Sequence, residues 1–223
     1  MYIMMENPRK NTEMWAVYLM CHGDSRQDGV RRYIGQTDLP LNEKGIEQAR
    51  YWQQQLCSVP FYRVYCSDLA RSLETARIIT HDREIQVCSL PELREIRLGA
   101  WEGLSVPEVH QRFPGEYEKR GEDFSDYRPR NGESFSDLSR RVVPIFERIA
   151  SEMEGNMLIV GHAGVNRTIL CHVLGMPLEN LFRLEQQYGS LSILVLKGNA
   201  FRLRGINILP ATQEDQRGTR VPE

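Results

Sequence analysis

Residues 15–25 read Trp15-Ala16-Val17-Tyr18-Leu19-Met20-Cys21-His22-Gly23-Asp24-Ser25. The short apolar run at the start of this stretch reads as a buried strand, and the His-Gly pair puts an imidazole on a tight loop at its carboxyl end. In open α/β sheets that edge is where ligands bind. A second stretch repeats the grammar. Met157-Leu158-Ile159-Val160 ends in Gly161-His162-Ala163-Gly164, and Val165, Ile169 and Val173 then fall at helical spacing. Strands running the same way bring His22 and His162 to one edge of the sheet. Glycines beside them let backbone approach a ligand closely, and the N–H groups opening the helix after Gly164 favour an anion.

Outward from these two stretches, strands and helices alternate. Asn42 caps a helix through residue 57, with Ile46, Ala49, Trp52 and Leu56 on one face. Arg63-Val64-Tyr65-Cys66 is a short strand, and Ser67 and Asp68 are expected to cap a helix reaching about residue 80 through Leu69, Leu73 and Ala76. Glu84 to Cys88 alternates weakly as a third strand. Short helices are expected over 105–113 and 115–120, split by Pro114-Gly115. Phe135, Leu138, Val142, Ile145, Ile149 and Met153 form a helical stripe in which Pro144 is expected to kink the helix or leave a turn unpaired. Leu191–Leu196 and Ala200–Ile208 close the chain as two strands around a Lys197-Gly198-Asn199 turn. Residues 24–41, 91–103 and 121–133 are loops, the first long enough to suggest function.

No repeat and no linker interrupts this pattern. It predicts an α/β fold: a single domain over 14–210 with a mainly parallel central sheet flanked by helices, a loose segment over 1–13 and a disordered charged tail over 211–223. A chain of 223 residues with a net charge of −2 carries no global attraction for nucleic acid or an anionic membrane. Any anionic ligand must be met by a local set of basic side chains. The five cysteines form no CxxC pair and no metal-ligand spacing with histidine, which predicts free thiols in a reducing compartment. With no signal-peptide core and no apolar run of membrane-spanning length, the expected location is the cytoplasm.

Further side chains join the two histidines. Arg71 lies one turn into the helix after strand 63–66, where a guanidinium can reach the same sheet edge and grip a phosphoryl group in two parallel hydrogen bonds. Glu95, in the loop Leu93-Arg94-Glu95, is a candidate proton donor to a leaving oxygen. His81 lies at a helix end, and His110 and His172 fall within helical segments as surface or packing residues.

Taken together, Cys21-His22-Gly23-Asp24-Ser25, Gly35-x-x-Asp38-x-Pro40-Leu41-x-x-x-Gly45, Ser67-Asp68-Leu69-x-Arg71-x-x-x-Thr75-Ala76, Leu93-Arg94-Glu95-x-x-x-Gly99-x-Trp101-Glu102-Gly103, Gly132-Glu133-Ser134 and Gly161-His162-x-Gly164-x-x-Arg167 resemble the phosphoglycerate mutase-like branch of the histidine phosphatase superfamily. The resemblance runs from about residue 15 to residue 205, and Arg32 to Leu41 is most similar to alpha-ribazole phosphatase-like members. It implies that His22 is the nucleophile that becomes phosphohistidine, that Arg71 and His162 clamp the phosphate, and that Glu95 protonates the leaving alcohol and then activates water. It implies no metal and no other cofactor. Cys21, Ser25, Arg26, Gly35 and Ala163 are expected at the substrate.

The resemblance fails at one position. The family has arginine directly before its nucleophilic histidine, and Cys21 offers only a weak donor with no fixed charge. Arg26 is a candidate substitute. The expected activity is hydrolysis of a small phosphate monoester, with alpha-ribazole 5'-phosphate a candidate, at a rate reduced by Cys21. The alternatives are a phosphate-binding pseudoenzyme and a phosphoglycerate mutase. The short stretch between Gly103 and Gly132 argues against the mutase. Cys21 as nucleophile, in the manner of tyrosine phosphatases, fails on register, because Met20 precedes it and Gln27 stands six positions on. The expected partner is a small phosphorylated substrate, with neither nucleic acid nor membrane; a homodimer is left open.

Overall fold

The two histidine-bearing strands lie side by side. In a computed structural model, which describes residues 14–28, 30–198 and 200–211, β1 (Ala16–Cys21) pairs in parallel with β4 (Asn156–Gly161), Cys21 opposite Gly161. The expected loose segment 1–13, and residues 212–223 of the expected disordered tail, lie outside the described residues. β2 (Phe61–Cys66) is parallel to β4 and to β3 (Val87–Ser89), while β5 (Leu191–Lys197) and β6 (Ala200–Ile208) add antiparallel to the free edge of β1. The order is β3-β2-β4-β1-β5-β6, a mixed sheet whose central strands are parallel. The carboxyl ends of β1, β2 and β4 therefore sit in one row, carrying His22, Ser67 and His162.

Strand alternation divides the core. Val17, Leu19, Met157, Ile159 and Leu194 face one layer, packed under α5 (Phe135–Ser151) and α6 (Ala163–Leu174). Met20, Val64, Cys66, Leu158 and Val160 face the other, under α1 (Glu43–Gln55) and α2 (Ala70–Ile79). Burial on both faces explains why these strands read as continuous apolar runs. Each fully buried aliphatic side chain contributes about 1.5–3 kcal/mol relative to exposure, so the edge bearing the histidines rests on a rigid base. Two short helices, α3 (Val106–Arg112) and α4 (Glu116–Glu122), lie over the loops at that edge. Short 3-10 turns at Pro91–Leu93, Gly99–Trp101 and Leu178–Arg183, which have no periodic signal, complete the loops.

Most boundaries fall within two residues of those expected, and the Asn42 side chain caps α1 by accepting from the Gly45 N–H. The capping of α2 is a correction. Its N-cap is Leu69, with no side-chain cap bond. Ser67 and Asp68 are drawn elsewhere: Ser67 to His162, and Asp68 to an ion pair with Arg94. Pro144 lies inside α5 without ending it. Having no N–H, it leaves the carbonyl of Arg140 without its helical donor. Among the described residues no helix is long and apolar enough to cross a membrane.

Candidate active site

His22 is buried, and both ring nitrogens are engaged. Nδ1 lies 2.7 Å from the Gly23 carbonyl oxygen, and Arg71 Nε donates to Nε2 at 3.2 Å. A carbonyl only accepts and a guanidinium only donates. The proton must therefore sit on Nδ1, leaving Nε2 unprotonated with its lone pair accepting from Arg71. Burial, then the Arg71 charge, lower the ring's pKa to about 3, so the imidazole is neutral at physiological pH. Its loop is fixed by close backbone packing. A Cβ on Gly23 would meet the Gly45 oxygen at 2.4 Å, and the Gly23 N–H donates to Thr75 Oγ1 at 3.1 Å.

Arg71 is 1% exposed. Beyond its bond to His22, it donates to the carbonyls of Thr37 at 2.8 Å and Gly35 at 2.6 Å. A guanidinium has five N–H donors, so part of the fork remains for a ligand. The loop supplying those carbonyls hangs on Glu102, which accepts from the N–H groups of Gly35 at 3.0 Å and Gln36 at 2.7 Å and from the Thr37 hydroxyl at 2.9 Å. Gly35 was expected at the substrate; its structural part is to hold Arg71.

His162 is fully buried, its ring centroid 4.9 Å from that of His22. Its Nε2 lies 2.7 Å from Ser67 Oγ, which also accepts the Leu69 N–H at 3.4 Å. Among the described residues its Nδ1 is buried without a protein partner, a polar atom of the kind a ligand satisfies. Burial, followed by the neighbouring His22, holds the ring's pKa well below its ordinary value.

Glu95 is 9% exposed. One carboxylate oxygen accepts the Ile96 N–H at 2.8 Å and the other the Gly164 N–H at 2.9 Å. The Gly164 amide, expected to be free for an anion, is thus occupied by Glu95. Arg141 braces this loop, donating to the carbonyls of Glu92 at 2.7 Å and Arg94 at 2.9 Å while paired with Glu133 at 2.8 Å.

A neutral imidazole and a carboxyl group thus line a cleft of about 1150 Å³, with the buried Arg71 guanidinium bonded to His22 and the His162 ring packed beside it. Residues 17–209 match the sequence pattern of the histidine phosphatase superfamily (branch 1). The chain belongs to that superfamily. Among its relatives, the adenosylcobalamin/alpha-ribazole phosphatase of Escherichia coli (strain K12) is 31% identical over 192 residues, covering 86% of this chain and 95% of the relative. The corresponding Salmonella typhimurium enzyme is 35% identical over 177 residues, covering 76% and 86%. The crystal structure of the alpha-ribazole phosphatase from Shigella flexneri superposes with a TM-score of 0.81 at 30% identity, covering 89% of this chain and all, 100%, of that one.

Cys21 stands directly before His22, where the resemblance implies arginine. Its side chain is 1% exposed, and burial, then the Glu95 charge, push the thiol up to about 12. It is neither a thiolate nucleophile nor a cation at neutral pH. Arg26, the expected substitute, is committed elsewhere. Its Nε donates to both carboxylate oxygens of Asp24 at 3.0 Å, and its guanidinium stacks 5.5 Å from the Tyr188 ring centroid. Ser25 and Ala163 line the cleft.

Sequence reasoning missed the cleft's aromatic frame, which spacing along the chain cannot encode. Tyr188 packs on His22 with ring centroids 5.3 Å apart. At the mouth, Arg120 lies over Tyr33, Trp101, Phe124 and Phe182, its guanidinium carbon 5.7, 5.8, 5.4 and 5.6 Å from the respective ring centroids. The remaining histidines lie apart: His110 pairs with Glu118 and His172 with Glu147, each at 3.2 Å, and His81 is exposed beside Asp82.

Proposed function

We propose that this chain is a phosphatase that hydrolyses a small phosphate monoester through a phosphohistidine on His22, with alpha-ribazole 5'-phosphate the leading substrate. The observation that carries the reading is the unprotonated Nε2 of a neutral His22, with the Arg71 guanidinium bonded to it and the buried His162 ring beside it. Nε2 attacks phosphorus. The bond from phosphorus to the ester oxygen breaks, and Glu95 gives that oxygen a proton. Glu95 then takes a proton from water as the water attacks the phosphohistidine, releasing inorganic phosphate and restoring His22. Arg71 and His162 hold the phosphoryl oxygens throughout, already fixed in place before the reaction.

The aromatic mouth supports an alcohol with a flat ring system: Tyr33, Phe124 and Phe182 offer stacking faces, with Arg120 among them. The similarity of the chain to alpha-ribazole phosphatases points the same way. The stretch from Gly103 to Gly132 holds α3 and α4. Unpaired cysteines suit a cytoplasmic location.

Cys21 favours a second reading, a protein that binds phosphate without turning it over. A lost preorganised donor costs about 2.7–4 kcal/mol in the transition state, roughly 10²–10³ in rate. A panel of phosphate esters including alpha-ribazole 5'-phosphate decides between them, with rapid quenching of a labelled ester to trap phosphate on the protein. Label present in the native chain and absent from His22→Ala supports the phosphatase. Vanadate binding with neither trapped label nor turnover supports the binding protein.

A further inference from the structure

The clamp lacks a cation beside His22, and the fold offers another at the same place. Arg167 lies five positions after His162 on α6, one turn beyond Ala163 and Gly164, so its side chain emerges on the face that carries those residues into the cleft. Its Nε donates to the Leu184 carbonyl at 2.8 Å, and the guanidinium carbon lies 5.3 Å from the Phe182 ring centroid. Anchored at Nε and packed on a ring, it keeps both terminal NH₂ groups free of hydrogen bonds to the protein among the described residues. Its charge acts on the Cys21 thiol and is felt together with that of Glu95, so all three side chains share one neighbourhood.

The other basic groups at the cleft differ. Arg26 is tied to Asp24, and Arg32 to Asp28 and Glu108. Arg31 and Lys44 are exposed, and Arg120 is held among the aromatic rings of the mouth. A doubly charged phosphoryl group gains most from donors that are desolvated and already in position. Arg167 is partly buried, held at Nε, and lines the same cleft as Cys21.

We infer that Arg167 replaces the clamp cation absent at Cys21, donating from its terminal NH₂ groups to the phosphoryl oxygens of the substrate. This rests on the phosphatase reading above and makes Arg167 a catalytic residue of this chain.

The test is a double-mutant cycle on the full chain with p-nitrophenyl phosphate as substrate and orthovanadate as inhibitor. Arg167→Gln should lower kcat/KM by about 10²-fold or more and weaken vanadate inhibition in parallel. Cys21→Arg should raise kcat/KM. In the Cys21→Arg background, Arg167→Gln should cost far less, because the two guanidinium groups serve one function. Equal losses in the two backgrounds, or vanadate inhibition indifferent to Arg167→Gln, would overturn the inference. Arg167→Lys, which keeps the charge and the packing stem, runs the same cycle if Arg167→Gln fails to fold. Native protein that hydrolyses esters and binds vanadate, with additive mutations, refutes Arg167 alone. Native protein that does neither refutes the phosphatase reading and this inference with it.

Discussion

Arg71 Nε donates to His22 Nε2 at 3.2 Å while its two terminal nitrogens hold the carbonyls of Thr37 and Gly35. One guanidinium thus selects the reactive tautomer of the nucleophile and fixes the loop above it. Lysine carries the charge but cannot span three acceptors in a plane. Arg71→Lys should therefore lower kcat by about 10²–10³-fold while the protein stays folded. In ¹⁵N spectra of the native protein, His22 should show a protonated Nδ1 and an unprotonated Nε2. The opposite tautomer would remove the basis for nucleophilic attack.

Glu102 stands one step further out. It touches no expected substrate atom, yet it gathers the N–H groups of Gly35 and Gln36 and the Thr37 hydroxyl. Glu102→Ala leaves those donors unpaired, at about 1–3 kcal/mol of stability, and loosens the loop that aligns Arg71. Small misplacements of this kind cost up to about 10²-fold in rate. The positioning role predicts a fall in kcat larger than any rise in KM, with partial rescue by Glu102→Gln. A loss of thermal stability without change in kcat would assign Glu102 a purely structural role.

The fold was readable because its central strands are buried on both faces and end in His-Gly loops, a local signal needing no tertiary knowledge. His22, His162 and Arg71 were readable for the same reason: each lies just past a strand of the same direction. What escaped was pairing across long sequence distances. Asn42, an N-cap, bonds three residues away and could be read from spacing; Ser67, expected as a cap, bonds a histidine 95 positions on. Arg26 looked available until Asp24 claimed it, and Glu102, Arg141 and Tyr188 act through partners that no periodicity reveals.

The neutral state of Cys21 has a chemical readout. Burial and Glu95 push its thiol up to about 12, and its side chain has almost no contact with solvent. Cys57 is exposed. Iodoacetamide near pH 7.5 should alkylate Cys57 readily and Cys21 hardly at all, as mapped by peptide mass spectrometry, and Cys57→Ser should remove most of the fast-reacting thiol. Rapid modification of Cys21, with loss of activity, would reopen the reading of that cysteine as a nucleophile.

Gly164 leaves no room for a side chain. A Cβ there would meet Glu95 Oε1 at 2.4 Å. Gly164→Ala should displace the carboxyl group while sparing Arg71 and His162. On the proposed role of Glu95 as proton donor, the loss should depend on the alcohol. Alkyl esters, which need that proton, should slow far more than p-nitrophenyl phosphate, whose leaving group departs as an anion. An equal loss for both ester types would move the proton-donor role away from Glu95.

Both site histidines are buried in their neutral form, His22 with a pKa near 3 and His162 held well below the ordinary value of 6.5. In the unfolded chain each takes up a proton near its ordinary pKa, so between that value and the depressed one the unfolded state binds more protons than the folded state. Stability therefore rises with pH in this window and falls as pH drops from about 6.5 towards 3, by about 1.4 kcal/mol per unit for each histidine where the difference in bound protons is complete. Urea unfolding at pH 7, 6, 5 and 4 should show that slope, and His22→Gln should remove its share of it. The same depressed pKa predicts that kcat/KM loses nothing to His22 protonation between pH 8 and 5. An NMR titration in which His22 protonates near pH 6.5 would contradict both expectations, because it would place the ring in water and not behind Arg71.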